Sequence, residues 1–152
     1  MEIKTILCPT DFSDASERAL NEAVALAKTL GARVRVVHVF QRPIGIAVEG
    51  APISMESAEK FLEEAHQHLR NSLTALQEKW AGTCEIEVAL LEGAPYATIV
   101  EESKQVDLIV MPTHGRSGFQ RFILGSVAER VVRMAHCPVL TLPMSPDERR
   151  EI

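Results

Sequence analysis

The sequence has no excess of positive charge. It carries 16 lysine and arginine residues against 21 aspartate and glutamate residues, which gives a net charge of −5 at neutral pH. Surfaces that bind duplex nucleic acid or anionic membranes are normally basic, so we expect neither as a partner. The 46% hydrophobic and 24% charged fractions are instead those of an ordinary globular protein.

Long apolar stretches are missing as well. No run approaches the roughly 20 apolar residues that are needed to cross a bilayer. The chain begins Met-Glu-Ile-Lys, which is not a signal-peptide pattern. We therefore expect a cytoplasmic protein that is neither exported nor inserted into a membrane.

Cysteine is scarce, and its spacing is not that of a metal site or a redox motif. Cys8, Cys84 and Cys137 form an odd number without any Cys-x-x-Cys pair. Each lies at the beginning or end of a predicted strand, where we expect it to be a small, buried apolar residue. The sequence therefore predicts no structural metal.

Several common nucleotide-binding motifs are absent too. A dinucleotide fold would place Gly-x-Gly-x-x-Gly after the first strand, but Pro9-Thr10-Asp11-Phe12-Ser13 follows it here. A P-loop needs a Gly-Lys pair, which does not occur. The same segment has neither the Ser-Gly-Gly type of loop of an ATP pyrophosphatase nor the His-x-x-His signature of a nucleotidyl transferase. These classes are excluded.

The sequence does contain a regular alternation of strands and helices. Short apolar runs rich in branched residues alternate with segments of helical periodicity, which predicts an α/β fold with an open five-stranded parallel sheet and helices on both faces. We predict strands at residues 4–9, 33–40, 85–91, 106–111 and 138–143, and helices that begin near Ser13 or Asp14, Met55, Pro95 and Ser126. Residues 1–144 form one predicted domain, 41–54 a long loop and 145–152 a charged tail.

Helical spacing also predicts which side chains face the core. These are Leu20, Ala23, Val24, Ala27 and Leu30 in the first helix, Phe61, Leu62, Ala65, Leu69, Leu73 and Leu76 in the second, Ile99 and Val100 in the third, and Val127, Val131 and Met134 in the last. In the second strand, partial alternation predicts a position near the edge of the sheet, with Arg33 and Arg35 reaching solvent.

The stretch from Met111 to Val127 carries most of the functional information. Gly115 and Gly118 allow positive backbone φ angles and a close approach by a ligand. At Gly125-Ser126 a helix begins, and the free N–H groups and positive dipole end of a helix N-terminus attract anions. A strand, a glycine loop and a helix start in this order predict a phosphate site.

Local charge agrees with an anion site. Between Pro112 and His136 the sequence has four arginines, Arg116, Arg121, Arg130 and Arg133, and one acid, Glu129. Arg116 and Arg121 are candidates to neutralise outer phosphates. A solvated loop and helix face is the alternative interpretation of the same arginines.

With Gly115, nine further residues and Gly125-Ser126, the stretch resembles the Gly-x2-Gly-x9-Gly-Ser/Thr signature of the ATP-binding members of the universal stress protein family. The first glycine of that signature falls at Pro112, which has no N–H group to offer. The resemblance extends from residue 2 to about residue 143. It implies the strand order 3-2-1-4-5 of the adenine nucleotide alpha hydrolase-like folds.

The resemblance also implies roles for individual residues. Asp11, in the segment Pro9-Thr10-Asp11, would contact the nucleoside, the backbone of Val39 would meet adenine, and Met111 would lie under the base. Phosphate contacts would come from Gly115, Gly125, Ser126 and Val127. Three neighbours of these positions complete the candidate site: Pro112, His114 and Arg116.

Each of these candidates also has a simpler explanation. Asp11 precedes a helix and could serve as a capping or turn residue. Ser126 could be a helix first-turn residue and a ligand at once. His114 has no visible carboxylate or nucleophile partner, so we do not assign it a catalytic role. His38 is interpreted as strand packing.

The resemblance implies an ATP-binding, nucleotide-responsive stress or regulatory protein, with Mg²⁺ accompanying ATP and at most slow ATP hydrolysis. It also implies a homodimer paired through the strand at Val139 to Leu142. The alternative is an interaction and dimerisation module of the same family in which Pro112 has weakened ATP binding.

Overall fold

The computed structural model describes residues 2–42, 55–114 and 124–143. In these ranges five strands form one parallel sheet in the order β3-β2-β1-β4-β5, which confirms the predicted fold. The strands are β1 (Thr5–Pro9), β2 (Arg33–Phe40), β3 (Ile86–Glu92), β4 (Leu108–Pro112) and β5 (Val139–Leu142). The helices are α1 (Asp14–Leu30), α2 (Met55–Lys79), α3 (Pro95–Glu102), which continues into a 3-10 turn (Ser103–Gln105), and α4 (Ser126–Met134).

Helix α1 begins and ends where its sequence predicts. Ser13 is the N-cap residue, and its hydroxyl oxygen accepts a hydrogen bond from the amide of Ser16. At the other end Gly31 takes the left-handed conformation, with φ at 67°, and its amide donates to the carbonyl of Ala27. These two caps fix the helix between β1 and β2.

The core has two layers, one on each face of the sheet. On one face α1 and α2 pack against residues such as Ile6, Val34 and Val110. On the other face α3 and α4 contribute Ile99, Ala128 and Val131 to a cluster with Leu7, Val37 and Ile109. Three residues of the central strand, Ile6, Leu7 and Cys8, are completely buried, because helices cover both faces of a parallel sheet.

Backbone hydrogen bonds show which way each residue of β2 faces. The amide of Arg33 donates to the carbonyl of Lys4, beside β1, whereas the amide of Val34 donates to the carbonyl of Glu85, beside β3. The backbone N–H and C=O groups of successive residues in a strand point to opposite neighbouring strands. Those of odd-numbered residues in β2 therefore point toward β1, and those of even-numbered residues point toward β3.

The prediction of a core position is wrong for three residues. Leu30, Phe61 and Met134 are 46%, 58% and 54% exposed. Leu30 and Met134 are the last residues of α1 and α4, and Phe61 lies in the first half of α2, whose core contacts come later, at Leu73, Leu76 and beyond. Helical spacing identifies the apolar face of a helix but not how far along that face the sheet extends.

Other differences concern Arg35 and the cysteines. Arg35 is not simply solvated, because its guanidinium bonds to Glu102 of α3, at 2.8 Å, and to Glu87 of β3. Cys8 is buried as predicted, while Cys84 and Cys137 are only partly buried.

Residues 43–54 of the predicted loop and 144–152, which include the predicted tail, lie outside the described residues. In the described ranges, no helix is long and apolar enough to cross a membrane.

Candidate functional site

A cavity of about 570 Å³ lies at the carboxyl ends of β1, β2 and β4. In the order β3-β2-β1-β4-β5, the chain direction across the sheet reverses between β1 and β4, and ligands of open α/β sheets bind at such a point. The lining includes nine of the predicted site residues: Pro9, Thr10, Asp11, Val39, Met111, Pro112, Gly125, Ser126 and Val127.

At the end of β2, the backbone edge on the side of β1 lies at this cavity and has no strand partner among the described residues. The last residue of β1 in register with β2 is Pro9, which lies opposite Val37, and the carbonyl of Val37 accepts the amide of Thr10. Val39 faces the same side two residues later, beyond the end of β1. Its N–H and C=O groups can therefore bond to a planar ligand with a donor and an acceptor on one edge.

The turn after β1 is held by a chain of hydrogen bonds. The hydroxyl of Ser16 donates to the carbonyl of Ser13 at 2.8 Å, so the hydroxyl of Thr10, 3.1 Å away, donates to Ser16. The Thr10 oxygen in turn accepts the amide of Phe12 at 3.1 Å. Oδ1 of Asp11 accepts both the amide and the hydroxyl of Ser13. Asp11 is thus a turn residue as well as part of the cavity wall.

This turn contains backbone strain. Phe12 has a φ angle of 61°, and among the described residues it is the one non-glycine residue in the left-handed region. Such a conformation costs on the order of 1 kcal/mol or more and persists where the surroundings enforce it. The strained residue is next to Asp11. Strain of this kind is typical of functional sites, where it is offset by the surrounding contacts.

On the opposite side of the cavity, α4 begins. The amide of Gly125 donates to the carbonyl of Thr113 at 2.7 Å, which holds the helix start beside the end of β4. Gly125 is the N-cap and has no side chain to cap the first amides of the helix. A helix N-terminus of this kind attracts an oxyanion with its free amides and its dipole.

Pro112 lies at the gap between β1 and β4. The amides of Ile109 and Thr113 donate to Pro138 and Leu142, on the side of β5, so residue 112 faces β1. The last residue pair in register between β1 and β4 is Leu7 with Ile109. The N–H that Pro112 lacks would therefore point toward β1 at the edge of the cavity, while the bonds from β4 to β5 are made by its neighbours and are unaffected. This placement explains how β4 tolerates a proline.

Of the predicted residues that the structure describes, His114 is not part of the cavity lining. His114 lies beside it: Nδ1 is 3.1 Å from the hydroxyl of Thr113, and its Cα would be 3.6 Å from a Cβ added at Gly125. Gly115, Arg116 and Arg121 lie outside the described residues. Arg130 stacks over the ring of Tyr96 at 4.5 Å, and Arg133 contacts Glu129 at 3.5 Å.

Sequence reasoning missed several lining residues. They are Ser16, Val37, His38, Gln41, Pro95, Ile99, Thr113 and Ala128. Nδ1 of His38 lies 2.8 Å from the carbonyl oxygen of Thr10, and its ring lies 4.9 Å from that of Phe12. The sequence signal for His38 was its position next to Val39, near the end of β2, which extends beyond the end of β1.

The described residues offer no obvious metal site, since they contain no group of three or more histidine, cysteine, aspartate or glutamate side chains that could hold an ion. Burial raises the pKa of the Cys8 thiol to about 12, so this thiol stays protonated at neutral pH. What the arrangement can do is bind: it combines a backbone edge, a carboxylate and a helix N-terminus around one cavity.

Comparison with known proteins agrees with this arrangement. Residues 2–143 match the model of the universal stress protein family. A universal stress protein of Methanocaldococcus jannaschii is 41% identical over 143 residues, which cover 91% of this chain and 81% of the relative. A universal stress protein of Thermus aquaticus is 37% identical over 139 residues, covering 90% and 96%.

Solved structures with the same fold include universal stress proteins. The protein UspA from Lactobacillus plantarum has a TM-score of 0.77 at 25% identity, with 93% of this chain and 99% of that chain covered. A universal stress protein solved in complex with cAMP has a TM-score of 0.69 at 24% identity, with 95% of this chain and 100% of that chain covered. A family member from Arabidopsis thaliana with AMP bound has a TM-score of 0.66 at 18% identity, with 95% and 94% covered.

Proposed function

The chain belongs to the universal stress protein family, and we propose that it binds an adenine nucleotide, ATP above all, in the cavity beyond β1, β2 and β4. One observation carries this proposal: the backbone edge at Val39, the carboxylate of Asp11 and the first turn of α4 converge on the same cavity. These are the three kinds of group that a base, a ribose and a phosphate chain require.

At one end of the cavity the base would bond to the backbone of Val39. Adenine has a ring-nitrogen acceptor next to an amino donor, and the N–H and C=O of one extended residue complement that pair. Met111 and Val127 supply apolar surface for the base and the sugar. Asp11 would accept from a ribose hydroxyl.

At the other end the phosphates would meet the first turn of α4. Ser126 and Val127 line the cavity at the N-terminus of a nine-residue helix. Their amides and the Ser126 hydroxyl would bond to phosphate oxygens, with Gly115 and Arg116 adding further contacts and Mg²⁺ accompanying ATP. The solved relatives with cAMP and AMP support a nucleotide in this fold.

Regulation is the biological role we propose for the bound nucleotide. ATP would bias a partner or dimer surface by the difference between its affinities for two arrangements of the chain. The exposed side chains of Val132, Met134 and Leu140, on α4 and the edge strand β5, support a homodimer paired through Val139–Leu142. Any hydrolysis of ATP would be slow.

One observation favours a second function. Pro112 takes one donor from the cavity, and the loss of a bond to a charged phosphate costs about 1.5–3 kcal/mol, or roughly one to two decades of affinity. A loss of this size would leave the chain as an interaction and dimerisation module without bound nucleotide.

Calorimetric titration of the nucleotide-stripped protein with Mg-ATP, AMP and GTP separates the two functions. The proposed function predicts saturable binding of ATP, weaker binding of AMP and still weaker binding of GTP, because guanine reverses the donor and acceptor that Val39 meets. Asp11→Asn should weaken ATP and AMP alike. The matched control is Asp14→Asn, which removes an exposed acid three residues away.

An absence of binding to all three nucleotides would contradict the proposed function and leave the interaction module. Equal binding of ATP and GTP would contradict the assignment of the base to Val39.

A further inference from the structure

We propose that His38 is a positioning residue that holds Asp11 in its place at the cavity. This inference rests on the proposed function, because Asp11 matters for affinity only if a nucleoside binds there. His38 itself does not need to touch the nucleotide. Its imidazole acts on the peptide group that joins Thr10 to Asp11.

The protonation of His38 follows from its partner. Nδ1 lies 2.8 Å from the carbonyl oxygen of Thr10, and a carbonyl oxygen can only accept. Nδ1 must therefore carry the proton in this contact. A neutral imidazole with the proton on Nδ1 and a fully protonated imidazolium both make this bond.

Strand β2 thereby holds Thr10 at both of its backbone groups. The amide of Thr10 donates to the carbonyl of Val37 at 2.8 Å, and its carbonyl accepts from the side chain of His38, the next residue along β2. Thr10 is 8% exposed, so water is a poor substitute for either bond.

The second of these bonds controls Asp11. The carbonyl of Thr10 and the amide of Asp11 belong to one planar peptide group, so a rotation of the carbonyl also turns the backbone of Asp11. The strained Phe12, with φ at 61°, comes next, and its ring packs 4.9 Å from the ring of His38. A turn under strain needs such outside contacts to keep one conformation.

Two substitutions separate the hydrogen bond from the bulk of the ring. His38→Asn places an amide nitrogen the same number of bonds from Cα as Nδ1 and can donate to Thr10, whereas His38→Leu fills similar space without a donor. Both lose the aromatic contact with Phe12. We expect the dissociation constants for ATP and AMP to rise by about three- to tenfold in His38→Leu and to stay within about twofold in His38→Asn.

A double-mutant cycle with Asp11→Asn tests whether His38 acts through Asp11. If it does, His38→Leu weakens ATP binding much less in the Asp11→Asn background than in the parent. A purely structural role would lower the affinity by the same factor in both backgrounds. Thermal unfolding of each variant, measured beside the titrations, separates lost stability from lost affinity.

Amide hydrogen exchange without nucleotide supplies the second measurement. We expect the amides of Asp11 and Phe12 to exchange faster in His38→Leu than in His38→Asn. The positioning role is overturned by unchanged affinity and exchange in His38→Leu, by equal losses in the two variants, or by additive effects in the cycle. If the parent protein binds no nucleotide, the proposed function is overturned, and so is the role of His38 in nucleotide affinity.

Discussion

The backbone amide of Gly125 donates a hydrogen bond to the carbonyl oxygen of Thr113, with 2.7 Å between the two atoms. The amide of Thr113 in turn donates to the carbonyl of Leu142 in β5 at 2.9 Å. The first turn of α4 is therefore fixed to the end of β4, and through it to the sheet, by contacts outside residues 115–123. The backbone donors of the proposed anion site are therefore held in position by contacts with the sheet.

Gly125→Ala should disturb this site through a steric contact, because the backbone φ angle of Gly125, −66°, is one that alanine adopts without strain. A Cβ at Gly125 would lie 3.2 Å from the Thr113 oxygen and 3.6 Å from Cα of His114, so the helix start must shift by a few tenths of an ångström. We expect a loss of about 1–2 kcal/mol of stability and roughly tenfold in ATP affinity, measured by denaturant unfolding and calorimetry.

Gly31→Ala is the control for Gly125→Ala. Gly31 has φ at 67° and open space around a Cβ, at the far end of α1, so alanine should cost stability by about 1 kcal/mol without changing ATP affinity. Equal affinity losses in the two variants would mean that the Gly125 effect is one of stability alone.

Ser126→Ala should separate the hydroxyl of Ser126 from its amide. The amide remains in the variant, so we expect only about a three- to tenfold loss of ATP affinity and a smaller loss for AMP, which has fewer phosphates. Ser126→Thr keeps a hydroxyl and should bind ATP like the parent. Loss of affinity in both variants would point to the backbone of the first turn instead of the hydroxyl.

Much of the fold could be predicted because its signals are local. The caps of α1 at Ser13 and Gly31 and the apolar runs of the strands depend on neighbouring residues only. The strand order came from the family resemblance, because which strands become neighbours is decided by contacts far apart in the sequence. The errors at Leu30, Phe61 and Met134 have the same origin, since helical spacing carries no information about where the sheet ends.

The site divides in the same way. Gly125 and Ser126 could be chosen as candidates from the sequence because a helix start directs its backbone N–H groups in a known way. Val39 was implied only by the family resemblance. Ser16 and His38 were not predicted as site residues, because each reaches a backbone or hydroxyl group of the turn after β1 only once the chain has folded.

Gly93→Ala should destabilise the protein at the connection between β3 and α3. Gly93 has φ at 142°, where an L side chain is strained, and a Cβ would lie 2.7 Å from Oγ1 of Thr98. We expect a loss of about 1–3 kcal/mol in the free energy of unfolding. The second substitution Thr98→Ala relieves the contact but not the backbone strain, so it should restore only part of the loss. Full recovery would show that the contact, not φ, is the cause.

Asp107 should contribute to stability at neutral pH and lose that contribution in acid. Its carboxylate accepts the amides of Lys4 and Thr5, both at 2.9 Å, and these bonds hold its pKa below the ordinary value. A lowered folded-state pKa gives stability that is fully present above the unfolded pKa, near 4, and lost as the pH falls through the folded-state value.

Asp107→Asn tests this dependence. Because Asp107 lies near the surface and is well solvated, we expect at most about 1 kcal/mol less stability than the parent at pH 7, with the difference shrinking in acid. Urea unfolding at pH 7 and at acid pH measures both values. Glu101→Gln, which removes an exposed carboxylate paired with Lys104, is the control and should show little change at pH 7. A deficit that persists unchanged in acid would rule out the charge as its source.

Pro112→Ala and Pro112→Gly should both tighten ATP binding, because each restores an N–H group facing the gap between β1 and β4. If that N–H bonds to a phosphate oxygen, the dissociation constant falls by about tenfold or more. Alanine and glycine differ in backbone freedom, so Pro112→Gly should be about 1 kcal/mol less stable than Pro112→Ala while gaining a similar affinity. A gain in Pro112→Gly alone would mean that space matters rather than the donor. Unchanged affinity in both would mean that the restored N–H bonds to the protein, with the carbonyl of Pro9 across the gap as the nearest candidate in register, and that Pro112 does not modulate the nucleotide.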